Sequence, residues 1–435
     1  EGISSGSSAG SSAGLSVNGL SVNGLSAVTT AAAAPACIGK PSKAAWASAA
    51  VELGDAVLDW TYDVCALDTA ASGHCLASLF IEILERCNLI ERLHADGLDL
   101  DLTRLCTYLM HVEAHYGTNA YHSRKHGADV LLGVYRFLAE RTQPHSAAPS
   151  DSGAALPSGA QPPAQDGGAI SNEGASAISP PRDPRDGSSD GAQDGADASS
   201  RAASPTDRAS GWALSPLQTF AGLFAAAVHD FNHPGTNNSH EVKCDSTRAL
   251  QYHDESVLES HHLASAFLAL MQPEHHFLRA WPRADYSAWR KLVIHLVLMT
   301  DLAKHFDFVS SLNSLPEGCL CPSEEPDAAL VLSVAIKCAD LGHSLKPWPL
   351  HQQWSQWVTD EFFALGDLER ASGVPISALC DREKDVDLPK NQMSFLKFVC
   401  MPLYLAAERA LPDGPAADAV AHLEANIERW ANIGS

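Results

Sequence analysis

Apolar residues recur at spacings of three and four along much of the chain, which is the pattern of amphipathic α-helices. Five segments show it clearly: Cys75–Leu93, Leu217–Phe231, His261–Met271, Ser287–Val309 and Phe395–Leu411. Near the end, one more helical face is marked by Val420, Leu423, Ile427 and Trp430. The alternation of a half-buried β-strand is nearly absent. The sequence therefore predicts an all-α fold.

Two segments lack this pattern. Residues 1–43 are rich in Ser, Gly and Ala and repeat LSVNG, and residues 142–210 are dense in Gly, Pro, Ser, Ala and Asp. Such compositions bury too little apolar surface to offset chain entropy, so we expect a disordered linker and a disordered insertion. An insertion within a domain requires a surface loop whose ends lie close together. The remaining residues of 44–432 suit one compact multi-helix domain.

Charge and cysteine content restrict the partners and the compartment. The chain has 52 acidic and 29 basic residues, a net charge of −23, which argues against a nucleic acid or an anionic membrane as partner. No apolar run reaches the ~18 residues that a membrane span needs. The 11 cysteines lack the spacing of secreted domains, so we expect a cytoplasmic protein. The chain begins at Glu1 rather than at a methionine. Any regulatory domain upstream of Glu1 would therefore lie outside this sequence.

Two histidine pairs are the strongest chemical signal. His122 and His126 lie four residues apart, and so do His229 and His233. On a helix this spacing places both side chains on one face, so each pair is predicted to point into one cavity. Asp230 directly follows His229. Adjacent side chains point in different directions, which favours two metal ions bridged by Asp230.

Asp340 supplies a further carboxylate at the end of the apolar run ALVLSVAIKCA. An unpaired carboxylate after buried residues is costly, so we expect a partner charge. Imidazole and carboxylate ligands without thiolate favour zinc, or zinc with a harder ion such as magnesium or manganese.

Beyond these residues, the chain resembles the catalytic domain of class I cyclic nucleotide phosphodiesterases. The matching blocks are YHSRKHGADV, FAAAVHDFNHPGTNN, YHDESVLESHHLASAF, VLMTDLAKHF, KCADLGHS, WSQWVTDEFF and LCDREKDVDLPKNQMSFL. The resemblance implies an all-helical phosphodiesterase domain of the His-Asp superfamily. It also implies hydrolysis of the cyclic phosphate of cAMP, cGMP or both to a 5′-monophosphate, in cyclic nucleotide signalling.

The resemblance assigns roles to these positions. The ligands of a tightly bound zinc match His126, His229, Asp230 and Asp340, and Asp230 also matches the direct link to a second ion, magnesium or manganese. His122 matches the general acid that protonates the leaving oxygen, and Glu361 the carboxylate that keeps it cationic. Residues that tie down metal-bound waters match His233, Asn238 and Glu259.

The nucleotide pocket is assigned in the same way. Gln392 matches the glutamine that pairs with the purine edge and Phe395 the aromatic that stacks on the base, with Trp354, Val358 and His343 at further pocket positions. Departures from the commoner family residues occur at Ser123, Gly127, His343, Ser344 and Ser355. None of these is a predicted metal ligand, so they bear on base preference.

The pattern around His343, Lys346, Trp348 and His351 is most similar to the calmodulin-stimulated, dual-specificity branch. The region before Leu76 contains no basic amphipathic helix of the kind that calmodulin binds, so calmodulin regulation is not expected. His351 occupies the position of the neighbour that fixes the glutamine amide. A histidine bonded elsewhere would leave Gln392 free to rotate, which predicts hydrolysis of both cAMP and cGMP.

Two other classes remain as alternatives at this point. One is a different metal-dependent phosphohydrolase of the His-Asp superfamily, against which Gln392 and Phe395 argue. The other is a catalytically inactive cyclic nucleotide sensor, which would usually have lost a ligand or the acid.

Overall fold

The structure, a computed structural model, describes residues 60–139, 214–320, 328–412 and 414–433. The linker predicted at 1–43 and the insertion predicted at 142–210 lie outside the described residues. The described residues belong to one unit of the chain, Trp46–Ser435.

The described ranges contain sixteen α-helices and no β-strand, which confirms the all-α prediction. The first eight are α1 (Val64–Ala70), α2 (Cys75–Arg86), α3 (Leu89–Ala95), α4 (Leu102–His115), α5 (Arg124–Ala139), α6 (Pro216–Val228), α7 (Asn238–Lys243) and α8 (Thr247–Tyr252). The others are α9 (Val257–Leu270), α10 (Arg283–Leu298), α11 (His305–Ser314), α12 (Ala328–Asp340), α13 (Trp348–Ser372), α14 (Leu388–Phe395), α15 (Met401–Ala410) and α16 (Ala419–Ile433).

Several predicted helices are broken where polar side chains bond to the backbone or the backbone turns. The stretch Ser287–Val309 ends one helix at Leu298 and resumes at Leu302, because the Asp301 carboxylate accepts the N–H of Ala303 and caps the next turn. Cys75–Leu93 is divided at Asn88, whose φ is 48°. In Phe395–Leu411 the chain forms a π-helical turn at Leu396–Cys400.

Helix α6 lies at the centre of the fold. A capping box formed by Ser215 and Gln218 and a proline at the first helical position start it. From Thr219 to Val228 every residue is buried, as expected for a helix that is apolar on all sides. It packs against α5 and α10, and α5 also packs against α2 and α12.

A close contact sets the approach of α5 to α12. A Cβ placed on Gly133 would lie 2.6 Å from the Ala339 Cβ and 3.0 Å from its Cα. Only glycine allows this separation. Because Ala339 precedes Asp340, the contact brings the end of α12 towards the first turns of α5.

Helices α5 and α6 run antiparallel. His126, near the start of α5, and His229, directly after the end of α6, lie with their Nε2 atoms 3.2 Å apart. From this contact each helix extends for about 20 Å, α5 to Ala139 and α6 back to Pro216. The two ends that flank the 142–210 segment are therefore at the same end of a packed helix pair.

Within the described ranges, no single helix has the length and apolar character to cross a membrane. Helices α1 and α2 reach that length and composition only when taken together, and they are bent by 101° at their junction.

Candidate metal centre and the adjoining cavity

Four side chains from α5, the end of α6 and the end of α12 converge on one point. The Nε2 atom of His126 lies 3.2 Å from Asp340 Oδ1 and 3.3 Å from Asp230 Oδ2. The Nε2 atom of His229 lies 3.2 Å from Asp230 Oδ2 and 3.5 Å from Asp340 Oδ1. Asp340 thus has two imidazole neighbours; whether they supply the predicted partner charge depends on their protonation.

The separations that involve the two histidines match those between ligand atoms of one metal ion. An ion with tetrahedral bonds of about 2.0–2.1 Å holds its ligand atoms about 3.3 Å apart. The His126–His229 separation of 3.2 Å and the four histidine–aspartate separations all lie close to this value. His126, His229 and Asp230 therefore form a group that can hold a metal ion, and Asp340 Oδ1 lies beside both of its histidines.

A hydrogen bond fixes the orientation of the His229 ring, and neighbouring histidines favour the ionised form of Asp340. The Nδ1–H of His229 donates to the Ala226 carbonyl at 2.8 Å, which leaves Nε2 to face the cluster. Burial alone would raise the pKa of Asp340, but His126 and His229 hold that pKa well below its usual range. Asp340 is thus a carboxylate at neutral pH.

The two oxygens of Asp230 face different groups. Its Oδ2 belongs to the four-ligand cluster, whereas its Oδ1 lies 3.6 Å from His262 Nε2. The ligand atoms of Asp230, His233 and His262 lie within 4.8 Å of one another. Because the Nδ1–H of His262 donates to the Phe231 carbonyl at 2.9 Å, its Nε2 lone pair points away from the backbone. One carboxylate is therefore shared between two clusters.

His262 was not singled out by the sequence. Its signal is the second histidine of the block ESHHLASAF, which lies on the buried face of α9. Burial lowers the pKa of His262 to about 4, so the imidazole is neutral and able to coordinate a metal.

A second acid–base pair adjoins the cluster. The Nδ1–H of His122 donates to Glu361 Oε1 at 2.5 Å, and Glu361 Oε2 accepts the backbone N–H groups of Tyr121 and His122 at 2.8 and 3.1 Å. Burial opposes the charge, but the Glu361 carboxylate raises the pKa of His122 to about 9. His122 is therefore an imidazolium at neutral pH, with Nε2 3.9 Å from Asp230 Oδ2.

The premise that each histidine pair shares a helical face is wrong. His122 precedes α5, which begins at Arg124, and His229 and His233 both follow α6, which ends at Val228. The convergence comes from helix ends and the turns beside them. As a result the pairs separate: His126 joins His229, and the His122 ring stacks on His233 with ring centroids 4.0 Å apart.

The remaining predicted polar residues lie on the same side of the cavity. The Asn238 Nδ2–H donates to Glu259 at 3.0 Å, and Asn238 Oδ1 accepts the N–H of Leu258. Burial, and then the charge of Asp301, raises the pKa of Glu259 to about 7. The Nδ1 of His233 accepts the N–H of Gly235 at 3.1 Å, so its Nε2 carries the proton.

The cluster lies beside a cavity of about 660 Å³, within the range of small-molecule sites. Its lining combines metal-side residues with apolar and amide side chains from α13 and α14. Among the lining residues are His122, Asp230, His233, Asn238, Glu259, Asp340, His343, Val358, Glu361, Gln392 and Phe395.

Trp354 lies behind the cavity wall. Its side chain is 1% exposed and packs edge-on against Tyr121, with centroids 5.6 Å apart, and against His126 at 6.3 Å. Trp354 therefore packs behind Tyr121, which precedes His122, and behind the predicted metal ligand His126. Direct contact of Trp354 with a nucleotide stays a prediction.

Gln392 is anchored by a residue that the sequence did not assign to it. The Ser355 hydroxyl donates to Gln392 Oε1 at 3.2 Å. The two nitrogens of His351 are bonded elsewhere: Nδ1–H donates to the His343 carbonyl at 3.1 Å, and Nε2 accepts the indole N–H of Trp430 at 2.8 Å. A hydroxyl can donate or accept, so Ser355 can bond either end of the amide.

The chain was also compared with known proteins. The 3′5′-cyclic nucleotide phosphodiesterase family pattern matches residues 203–419. A dual specificity calcium/calmodulin-dependent 3′,5′-cyclic nucleotide phosphodiesterase 1B of Bos taurus is 29% identical over 347 residues, 79% of this chain and 51% of that protein. A probable 3′,5′-cyclic-AMP phosphodiesterase of Caenorhabditis elegans is 29% identical over 378 residues, 85% of this chain and 45% of that protein.

Solved structures agree on the fold. The phosphodiesterase domain of Salpingoeca rosetta rhodopsin phosphodiesterase matches with a TM-score of 0.64 and 20% identity, covering 89% of this chain and 94% of that domain. The chain belongs to the class I 3′,5′-cyclic nucleotide phosphodiesterase family. It spans about half the length of the curated relatives it matches.

Proposed function

We propose that this chain hydrolyses 3′,5′-cyclic nucleotides to 5′-nucleoside monophosphates. The observation that carries the proposal is the position of the His122–Glu361 pair beside Asp230, whose two oxygens face two ligand clusters. A general acid next to a place for two cations is the arrangement that phosphodiester hydrolysis needs. Turnover of cAMP and cGMP by the purified chain, followed as 5′-monophosphate released, tests it.

The donor atoms favour different ions in the two clusters. His126, His229, Asp230 and Asp340 would hold zinc, since two nitrogens and two oxygens at these separations suit it. Magnesium or manganese would bind on the Oδ1 side of Asp230, with this carboxylate as its direct protein ligand and waters as the others. When bound, such ions neutralise phosphate charge and lower the pKa of a coordinated water towards neutrality.

The residues of the chain supply the proton and the orientation. Glu361 keeps His122 protonated and fixes its ring, so that Nε2–H faces the cavity. There it would donate to the O3′ leaving oxygen as the P–O bond breaks. The neutral His233 ring, stacked on His122, restricts the acid to one orientation.

The far end of the cavity would bind the base. Gln392 offers an amide anchored by Ser355, and Phe395 and Val358 offer apolar surface for the purine. The His343 ring lies nearly parallel to Phe395, at 9°, with centroids 6.1 Å apart. A base-sized site at this position favours a nucleotide phosphodiesterase over another His-Asp phosphohydrolase, and an intact acid and ligand set favours an enzyme over an inactive sensor.

A cytoplasmic location is part of the proposal. Cys75, Cys338 and Cys400 are free thiols that are fully buried. Unpaired thiols are the usual state in a reducing compartment.

Both cAMP and cGMP are expected as substrates, with kcat/KM values within about tenfold of each other. Adenine and guanine present opposite donor and acceptor patterns to a glutamine amide, and Ser355 can bond Gln392 in either orientation. Paired assays at subsaturating substrate measure the ratio. Ser355→Thr retains the hydroxyl and should therefore leave the ratio of the two kcat/KM values unchanged. A preference of the wild-type chain beyond about a hundredfold for either nucleotide would mean that the Gln392 amide is fixed in one orientation.

The pH profile should depend on Glu361. Because the carboxylate raises the pKa of His122 to about 9, the acid stays protonated at neutral pH and loses its proton only as pH rises through that value. In Glu361→Gln, burial would lower the His122 pKa, so the alkaline limb of kcat/KM should move to lower pH. Asp360→Asn removes an exposed charge from the same helix and should leave the limb in place. An unmoved limb in Glu361→Gln would assign it to another group.

The 142–210 segment is expected to be dispensable for catalysis. It interrupts the chain between Ala139 and Pro216, which are the ends of two packed helices remote from the His126–His229 contact. Replacing Thr142–Ser210 with a short Gly/Ser linker should leave kcat/KM within a few-fold of the original, as measured with cAMP and cGMP. A collapse of expression or turnover would show that the segment packs on the domain.

A further inference from the structure

A short buried segment joins the candidate metal centre to the base end of the cavity. It starts at Asp340, the last residue of α12, continues as a 3₁₀ turn at Gly342–Leu345 and ends at Lys346. Asp340 and His343 both line the cavity. The position of this segment therefore sets where the metal-side and base-side walls lie relative to each other.

The segment ends in a buried ion pair. The Lys346 Nζ atom lies 2.7 Å from Asp129 Oδ1, and the two side chains are 1% and 6% exposed. Among the described residues no hydrogen bond reaches Asp129 Oδ1, so opposite charge holds the two groups together. The Lys346 ammonium also donates to the Tyr62 carbonyl at 3.3 Å. Neither Lys346 nor Asp129 lines the cavity.

Stability alone does not explain such a pair. Taking two charges out of water carries a large desolvation cost, and apolar side chains of similar volume are often as stabilising as a buried ion pair or more so. A buried pair does fix geometry, because a buried ammonium is strongly disfavoured wherever it has no carboxylate beside it. The position that the Lys346–Asp129 pair imposes is therefore its more probable contribution to the fold.

Asp129 belongs to the helix that carries a predicted metal ligand. It lies three residues after His126 on α5, so the two side chains share one side of that helix. The ion pair therefore attaches the base-side end of the segment one turn away from His126. At the other end of the segment, the close contact of Gly133 with Ala339 brings α12 onto α5. Both ends of the segment are thus held on the same helix.

Backbone contacts connect the ion pair to His343. The Asn426 amide donates to the carbonyls of Ser344 and Lys346 at 2.9 and 3.0 Å. The Lys346 N–H donates to the His343 carbonyl at 3.4 Å. The His343 ring lies nearly parallel to that of Phe395. A displacement of Lys346 would therefore move the ring that faces Phe395.

We propose that Lys346 and Asp129 are positioning residues for nucleotide binding. Their ion pair holds the end of the segment on α5, so that His343 lies at a fixed distance from the four-ligand cluster. A cyclic nucleotide must place its phosphate at that cluster and its base near His343 at the same time. A small misplacement of either wall weakens productive binding. This inference rests on the proposed function.

Replacing the ion pair by an apolar pair tests this role. Lys346→Met/Asp129→Leu should keep the Tm and the zinc content of the wild-type chain, because both buried charges are lost together. Its KM for cAMP and cGMP should rise by about tenfold while kcat stays within about twofold. Arg86→Ala/Glu82→Ala removes a more exposed ion pair with the same 2.7 Å separation from α2 and should change neither constant.

Two single variants check that charge sets the position. Lys346→Arg keeps the positive charge and should leave KM within about threefold of the wild-type value. Asp129→Asn keeps the shape of the side chain but removes its charge, so KM should rise as in the apolar variant. The Asp129→Asn comparison decides the question if the double variant does not fold.

A lower Tm with an unchanged KM in the apolar variant would overturn the proposal, because the pair would then serve stability alone. Loss of zinc together with kcat would also overturn it and assign the pair to the four-ligand cluster. A wild-type chain without turnover would contradict the proposed function instead. The dissociation constants of 5′-AMP and 5′-GMP, measured by calorimetry, would then replace KM, and equal constants in the wild-type chain and the apolar variant would overturn the positioning role.

Discussion

Asp340→Ala and His229→Ala are each expected to lower kcat by several orders of magnitude while the helical fold largely persists. Each residue supplies a donor atom to the cluster in which ligand atoms lie 3.2–3.5 Å apart. Losing a donor removes the charge and geometry on which two-metal hydrolysis depends. Steady-state turnover, metal content and far-UV circular dichroism are the measurements.

Asp307→Ala provides the matched control, because it deletes an exposed carboxylate from α11 without touching the cluster. It should retain both turnover and metal. Removing the ions from the wild-type chain with a chelator should reproduce the loss seen in the ligand variants. Near-normal rates in the metal-stripped chain would rule out the two-metal proposal.

His122→Ala should keep its metal but lose about 10²–10⁴ in rate, the usual contribution of a positioned general acid. The loss should shrink for a phosphodiester with a nitrophenolate leaving group, since that group departs without a proton. Comparing the variant with wild type on both substrates isolates the proton transfer from binding.

His94→Ala is a close control for this experiment. His94 Nδ1 lies 2.5 Å from Asp99 Oδ1, the same separation as in the His122–Glu361 pair, but at the exposed surface. Removing the His94 side chain should leave the rates on the cyclic nucleotide and on the nitrophenyl phosphodiester unchanged. If His122→Ala loses metal together with activity, His122 belongs to the coordination shell rather than to the proton-transfer step.

The sequence predicted that His126, His229, Asp230 and Asp340 lie together but not how the fold brings them together. Spacing suggested two helical pairs, yet only His126 lies within a helix, and the donors come from the ends of α6 and α12 as well. Helix ends leave backbone groups free and change the chain direction, so they can gather residues that are far apart in sequence. The contact that sets this geometry, between Gly133 and Ala339, carries no chemical signature in the sequence.

The sequence also did not predict which side chains bond to Gln392. Apolar periodicity predicted the helix that follows Phe395 but not α13, which carries Ser355 and Trp354. The sequence pattern pointed to His351 as the neighbour of the amide, but only packing reveals that Trp430 and the His343 carbonyl bond both nitrogens of that ring. Ser355, one turn along α13, takes its place. Trp354 precedes Ser355 on α13 and faces away from the cavity. The rotation of α13 about its own axis decides which of its side chains face the cavity, and a sequence motif does not specify that rotation.

The connection between α5 and α6 is a suitable place to insert another folded protein into this chain. A folded reporter grafted between Ala139 and Leu214 would replace the residues that join two packed helices, at the end of the pair remote from His126 and His229. The graft would be about 20 Å of helix away from His126 and His229. A circularly permuted fluorescent protein placed there would report movement of these two helices while leaving the ligands untouched.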